Sequence, residues 1–457
     1  MPRVSYFTDQ LSRRDWLRLS ALGAIGGSLS GWIERLAAAT AENPKRRRAC
    51  ILLWMSGGPS QMDTFDLKPG DANGGPFKDI ATSVPGIKIS EHLPQLAKHM
   101  DRMALIRSMS TKEADHGRAT YLLRTGRTPG GPIEYPVIGS FVAKELERPD
   151  AELPSFVSVA PYRFLSPAAF GPGFLGPRFA PLIVGENAAN FAGAQNEERL
   201  YNQALQVEDL ALPAGITTGR AAARLNILDD LEQDFLRDRA SVAALSHRTA
   251  YQRAVTMMRS SAAKAFDLEE EPAPLRDRYG PTLFGRGCLL ARRLVERGVP
   301  FVEVTLAAAP GVPGALGWDT HQENFENVKK LSAVLDQAWS ALMDDLKARG
   351  LLDTTTIVWM GEFGRTPKIA EDRKGRDHWA NSWSTVLAGG GIKGGQVVGK
   401  TSDDGMEVKE RPVAVADFLA TIGLALGIDV TKQNNSNVGR PIRLVEPSAK
   451  PIQEVLA

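Results

Sequence analysis

Apolar residues run without interruption from Ala49 to Met55, Ala-Cys-Ile-Leu-Leu-Trp-Met, and stop at Gly57-Gly58-Pro59. A short continuous run bounded by a turn predicts a strand buried on both faces, hence a parallel sheet. Similar runs predict strands at 103–106, 156–159, 301–306, 354–360 and 383–387. Helical spacing appears at 92–101, 115–123 and 413–426, and over a long amphipathic stretch, 324–349, that stops at Gly350. Two segments break the alternation. Residues 165–195 are rich in Gly, Pro and Phe and read as irregular. Residues 219–270 carry Ala, Leu, Arg and Glu at helical spacing and read as a helical insertion, placed at about 196–280. Strand and helix alternate on either side, so the predicted class is α/β with a mostly parallel sheet.

The N-terminus has a different pattern. Ser12-Arg13-Arg14-Asp15-Trp16-Leu17-Arg18 precedes a weakly apolar stretch, 19–33, and the small residues Ala37-Ala38-Ala39. Charged, apolar and cleavage regions in that order form a removable signal, and the arginine pair selects twin-arginine export. Residues 1–40 are therefore assigned to the signal, 41–48 to a polar linker, and 49–457 to the domain. The expected location is periplasmic or otherwise outside the cytoplasm, with the twin-arginine translocase as partner during export.

Charge and cysteine usage narrow the picture. The first 40 residues hold five Lys/Arg and three Asp/Glu, and the whole chain carries +2, so the remainder is neutral. A neutral surface gives no reason to expect nucleic acid as a partner. No later apolar run reaches the ~20 residues of a membrane span. Cys50 and Cys288 both sit in apolar runs and read as core residues, with a disulfide between them open in an oxidising compartment. No cysteine cluster has metal-ligand spacing, so any metal must use His and carboxylates.

Three of the six histidines lie beside carboxylates in polar segments: Asp115-His116-Gly117, Trp318-Asp319-Thr320-His321 and Arg376-Asp377-His378-Trp379. Loops at strand ends are where α/β folds place ligands. His92, His99 and His247 sit on polar helical faces and read as surface residues. Asp319 and His321 suit Zn²⁺, Mn²⁺ or Fe²⁺; the alternative is a cap for the helix near Asn324. Glu362, in Gly361-Glu362-Phe363-Gly364-Arg365, ends a buried strand and is placed to bind a cation, with Arg365 able to meet an anion; a Glu362–Arg365 salt bridge is the alternative. The segment 57–66 offers Ser60, Asp63 and Asp66 beside glycines, either as ligands or as a solvated turn.

Several segments together resemble the alkaline phosphatase/sulfatase superfamily. The helix 335–354 is similar to a sulfatase helix ending L-x-x-x-G-L-x-D-x-T. The strand after it enters Gly361-Glu362-Phe363-Gly364, where sulfatases read Ser-Asp-His/Asn-Gly. Residues 118–127 resemble the helix after the sulfatase nucleophile, while Cys or Ser in the formylglycine context is missing. Gly-Gly-Pro-Ser with Asp-Thr-Phe-Asp (57–66), Trp-Asp-Thr-His (318–321), Gly-Glu-Phe-Gly-Arg-Thr-Pro (361–367) and Gly-Arg-Asp-His-Trp (375–379) match a twin-arginine-exported bacterial domain of unknown function within that superfamily.

The resemblance implies an alkaline-phosphatase-like three-layer sandwich with a helical insertion. It also implies a divalent metal (Zn, Mn or Ca) on Asp63 or Asp66, Asp319, His321, Glu362 and His378, and an anionic small-molecule or glycan substrate. Thr111 or Ser110 would be a nucleophile, with direct attack by activated water the other route. His116 would be a general acid, and Arg365 and Arg376 would hold the anion. The expected activity is hydrolysis of phosphate or sulfate esters. The alternatives are a catalytically degenerate member that binds an anionic envelope or glycan ligand, and an accessory envelope protein whose polar loops are caps and salt bridges.

Overall fold

The computed structural model describes residues 48–148, 150–186, 188, 196–207, 210, 212–239 and 242–457. The proposed signal at 1–40 and nearly all of the linker lie outside the described residues. The central sheet has eight strands: β1 (Ala49–Met55), β2 (Met103–Met109), β3 (Phe156–Val159), β4 (Leu182–Val184), β5 (Phe301–Leu306), β6 (Thr355–Met360), β7 (Trp383–Gly389) and β8 (Gln396–Val398). Their spatial order is β8-β2-β7-β6-β1-β5-β3-β4. Only β7 runs against the others: it is antiparallel to both β2 and β6, whereas β1 is parallel to β5 and β6.

Among the described residues there are nine α-helices: α1 (His116–Thr125), α2 (Ile138–Leu146), α3 (Glu197–Ala204), α4 (Thr218–Arg239), α5 (Val242–Arg259), α6 (Ala273–Tyr279), α7 (Leu283–Glu296), α8 (Asn324–Ala348) and α9 (Val415–Ala425). Strand β1 shows how the layers form. Its side chains alternate in direction, so Ile51, Leu53 and Met55 enter one core with residues of α7 and α8. Cys50, Leu52 and Trp54 enter a second core with residues of α2 and α9. A strand that feeds two cores must be apolar throughout, which is why its sequence shows no polar alternation. Burying each large side chain of this kind contributes about 1.5–3 kcal/mol. The result is the three-layer α/β arrangement expected from the sequence.

Helices α3 to α6 occupy the stretch between β4 and α7. Residues 92–101 were expected to be helical, and they form a 3₁₀ turn at Leu96–Arg102 instead. Both cysteines are buried and free, on opposite faces of the sheet, so the disulfide left open by the sequence does not form. His92 and His99 are half-buried rather than superficial: His99 Nε2 meets Ser340 Oγ at 3.0 Å, and the His92 ring lies edge-on to Phe77 at 4.3 Å. The side chain of His247 is outside the description. No helix among the described residues is long and apolar enough to cross a membrane.

Candidate metal centre

The strand order brings distant loops together. β1 lies between β5 and β6, so the segments leaving their carboxyl ends become neighbours. The segment after β6 continues into a two-stranded antiparallel ribbon, Gly364–Arg365 against His378–Trp379. The segment after β2 leads into α1, whose first residue is His116. Gly57, with φ +112°, allows the turn after β1 to lie against the backbone of Asp319, where any Cβ would collide with the Asp319 nitrogen.

Asp319 Oδ1 is the focus of the site. It lies 3.2 Å from His116 Nε2, 3.1 Å from His321 Nε2 and 3.2 Å from His378 Nε2. The two nitrogens of His321 and His378 face each other at 3.0 Å. His116, Asp319 and His378 each present one ligand atom within 4.8 Å of the others.

The opposite nitrogen of every ring is occupied. His116 Nδ1 meets Glu362 Oε1 at 2.7 Å, His321 Nδ1 meets Asp377 Oδ1 at 2.7 Å, and His378 Nδ1 meets the Ala114 carbonyl at 2.7 Å. The Ala114 carbonyl can only accept, so His378 Nδ1 must donate; a carboxylate imposes the same polarity on the other two. Each neutral ring then carries its lone pair on Nε2. Three lone pairs directed at one carboxylate oxygen repel unless protons or a cation lie between them. Such orienting bonds are characteristic of metal-binding histidines.

The electrostatics agree. Burial disfavours a charged His116, yet contacts with Asp319 and Glu362 outweigh it and raise its pKa to about 9. Burial alone would raise the Asp319 carboxyl, but the close approach of His116 and His378 and the charge of Arg365 hold it well below the usual carboxylate range. Asp377 is held low chiefly by its bond from His321. Glu362 is 1% exposed, and among the described residues neither its Oε2 nor His116 Nε2 has a hydrogen-bond partner. An imidazole–carboxylate set with unsatisfied buried ligand atoms fits a divalent cation. Phe363, fully buried, packs against both His116 and His378 with ring centroids 4.9 and 4.7 Å away. Side-chain exposure rises from 12% at His116 to 26% at His378 and 38% at His321, so the cluster opens towards His321.

Several residues singled out in the sequence stand elsewhere. Asp63 is buried and committed to Arg376, accepting from its Nε at 2.7 Å, and also from Ser60 Oγ and Asn324 Nδ2. Asp66 pairs with Lys68 at 3.0 Å and accepts from Thr401 at 2.5 Å. Neither belongs to the cluster. Glu362 orients His116 and accepts from Gly57 N at 2.8 Å. It makes no ion pair with Arg365. That guanidinium is fully buried and donates to the carbonyls of Gly57, Gly58 and Arg376 and to Asp319 at 2.5 Å. Arg376 is likewise enclosed by Asp63 and the carbonyls of Asn73, Thr366 and Pro367. Both arginines brace the loops and neither is free to hold a substrate anion.

The alternative of a helix cap also falls, since α8 begins after Glu323 with no side-chain cap from Asp319 or His321. Thr111 sits beside the ribbon, its N–H donating to Ala380 O at 2.8 Å, and its buried hydroxyl has no hydrogen-bond partner among the described residues. Ser110 is held through Val413 O at 3.2 Å. The residues that sequence reasoning left without a role are Asp377 and the Ala114 carbonyl. Asp377 was visible as the neighbour of His378; the carbonyl carries no sequence signal.

Fold and site together define an α/β protein with an imidazole–carboxylate cluster at the carboxyl ends of a mostly parallel sheet. The chain belongs to the family described as "Protein of unknown function (DUF1501)", matched over residues 47–456. No curated protein matches its sequence. Among solved structures it is similar to the lipoteichoic acid synthase LtaP of Listeria monocytogenes, at 10% identity over 90% of this chain and 80% of that one, with a TM-score of 0.41. It is also similar to a sulfatase of Pseudoalteromonas sp. (12% identity, 87% and 72% covered, TM-score 0.38). A phosphonate monoester hydrolase of Silicibacter pomeroyi is a third (13% identity, 90% and 78% covered, TM-score 0.38).

Proposed function

We propose that this chain is an exported, metal-dependent hydrolase of phosphate or sulfate esters, with His116, Asp319, His321 and His378 as the metal-holding residues. The observation that carries the proposal is the convergence of three imidazole Nε2 atoms on Asp319 Oδ1, with all three Nδ1 atoms engaged behind them. Three nitrogens and a carboxylate favour Zn, Mn or Fe(II); Ca, which prefers oxygen ligands, suits the set less well. A divalent ion held there polarises an ester oxygen and lowers the pKa of water.

The protein's own contribution is geometric. Glu362, Asp377 and the Ala114 carbonyl fix the ring tautomers. Arg365 holds Asp319 against the Gly57-Gly58 turn. Phe363 excludes water from the inner side, leaving the His321 side open for an anionic ester. With Arg365 and Arg376 committed to carbonyls and carboxylates, neither guanidinium is left to meet the substrate charge, which a bound cation would have to balance. His116, the most enclosed of the three rings, acts as a ligand in this reading and not as the general acid. Thr111, bonded through its N–H to Ala380 O beside the ribbon, remains the hydroxyl candidate.

The test is hydrolysis of phosphomonoesters, phosphodiesters and sulfate esters by the purified protein. Turnover should require divalent metal and disappear in Asp319→Asn and His378→Ala. One observation favours a second reading, binding without turnover: the Thr111 hydroxyl is buried. Tight anion binding with no hydrolysis across the panel would select it. The twin-arginine route, with its translocase as partner, predicts that Arg13→Lys with Arg14→Lys stops export.

A further inference from the structure

A turn beside the centre has an unexpected composition. Ser166 N donates to Arg163 O at 3.2 Å, closing a β-turn whose two central residues are Phe164 and Leu165. Such positions are usually taken by Gly, Pro, Asn, Asp or Ser. Here they hold two large apolar side chains, 80% and 42% exposed. Phe164 is the most exposed large apolar residue described, and exposing it has a cost in water.

The turn is held firmly on several sides. Arg163 makes a two-pronged ion pair with Glu186, at 2.6 and 2.8 Å. Ala169 and Phe170, which follow, are buried against Tyr121 of α1, and the Phe170 ring lies 3.8 Å from the Arg124 guanidinium. Leu165 O rests on Gly117, the residue after His116, so closely that a Cβ there would lie 2.7 Å from that oxygen. The turn that carries Phe164 therefore lies against the start of α1, one residue beyond His116. The Tyr162 ring stands 6.4 Å away, tilted by 41°.

We infer that Phe164, with Tyr162 beside it, is a stacking platform for a pyranose ring in the non-reacting part of the ester, so that the substrates are carbohydrate esters. This deepens the proposed hydrolase reading and rests on it for the reacting end. Arg163 is neutralised by Glu186, so the platform recognises an apolar face rather than a charge. A side chain four-fifths exposed stands open to solvent instead of being enclosed in a slot. An arene or acyl chain gains most from enclosure, whereas a sugar ring stacks on one face and keeps its hydroxyls in water.

The test compares wild type with Phe164→Ala, Phe164→Leu and Phe164→Trp on glucose 6-phosphate, glucose 6-sulfate and methyl phosphate. Bound metal is measured in every variant. The expected result for Ala and Leu is a KM for the sugar ester raised about tenfold, the scale of one lost stacking contact. Their kcat, metal content and methyl phosphate hydrolysis should stay at wild-type level, and Trp should restore KM. Equal KM values in all four proteins, or equal losses on methyl phosphate, would overturn the platform. If wild type binds no metal and hydrolyses nothing, the hydrolase reading fails. The platform is then decided by calorimetric titration with a neutral oligosaccharide such as maltohexaose: binding lost in Phe164→Ala supports it, and binding that is absent or unchanged refutes it.

Discussion

Glu362→Gln isolates the step from fold to metal affinity. Glu362, itself 1% exposed, accepts through Oε1 from His116 Nδ1 at 2.7 Å and from Gly57 N at 2.8 Å. Glutamine has nearly the same shape and its carbonyl oxygen can keep both bonds. What is lost is the charge that makes the acceptor strong and holds the proton on Nδ1. The substitution also places an NH2 where Oε2 now stands without a donor. A charge-assisted bond exceeds a neutral one by about 1–2 kcal/mol, roughly 5- to 30-fold in affinity, which overlaps the roughly 10- to 100-fold drop that follows removal of such orienting groups. The assay is competition for Zn²⁺ between the protein and a chromogenic chelator at fixed pH. Asp319→Asn should lose measurable binding, since it removes a ligand and leaves Arg365 buried beside a neutral amide. Glu362→Gln should fall between it and wild type. Wild-type affinity in Glu362→Gln would refute the orienting role; a loss as complete as in Asp319→Asn would make Glu362 a direct ligand.

Other consequences can be checked separately. In metal-free protein the raised His116 pKa stabilises the fold: the contribution is full below the ordinary value of 6.5 and is lost as pH rises through about 9. Urea unfolding of chelator-treated protein should show a decline on the order of 3 kcal/mol over that window, absent in His116→Gln. Glu271 is depressed by Arg292 and Arg293 although burial opposes this, so its contribution is present above the ordinary 4.5 and lost as pH falls below it; Glu271→Gln should flatten the acid limb of the same curve. Asp63→Asn should cost about 3–5 kcal/mol in urea unfolding by leaving Arg376 without its carboxylate, and a cost under 1 kcal/mol would contradict the pairing. Gly117→Ala forces the turn at Leu165 to move and should cost about 1–3 kcal/mol by overpacking, read as a lower thermal midpoint.

The fold was legible where one periodicity dominated. The unbroken apolar run of β1 and the amphipathic 324–349 segment read directly as strand and helix. Asp319, His321 and His378 stood out as candidates because histidines lie beside carboxylates in polar segments there. Sequence could not show which strand ends touch, because that depends on β1 lying between β5 and β6. His116 therefore read as a general acid, with nothing to show that its Nε2 would lie 3.2 Å from Asp319 Oδ1. For the same reason Asp63 looked free. Its partner Arg376 is 313 residues away in the chain, and no local pattern reports such a pair. Arg365 looked available to a substrate because its real acceptors are backbone carbonyls, which every residue has and no sequence distinguishes.

The central claim is that His116, Asp319, His321 and His378 hold a divalent ion. The most direct measurement is elemental analysis of the purified protein together with its Asp319→Ala and His378→Ala variants, each shown to be folded by circular dichroism. The account predicts about one divalent transition-metal ion per wild-type chain and none in either variant. Folded wild type that carries no metal and takes up none from added Zn²⁺, Mn²⁺ or Fe²⁺ would contradict it.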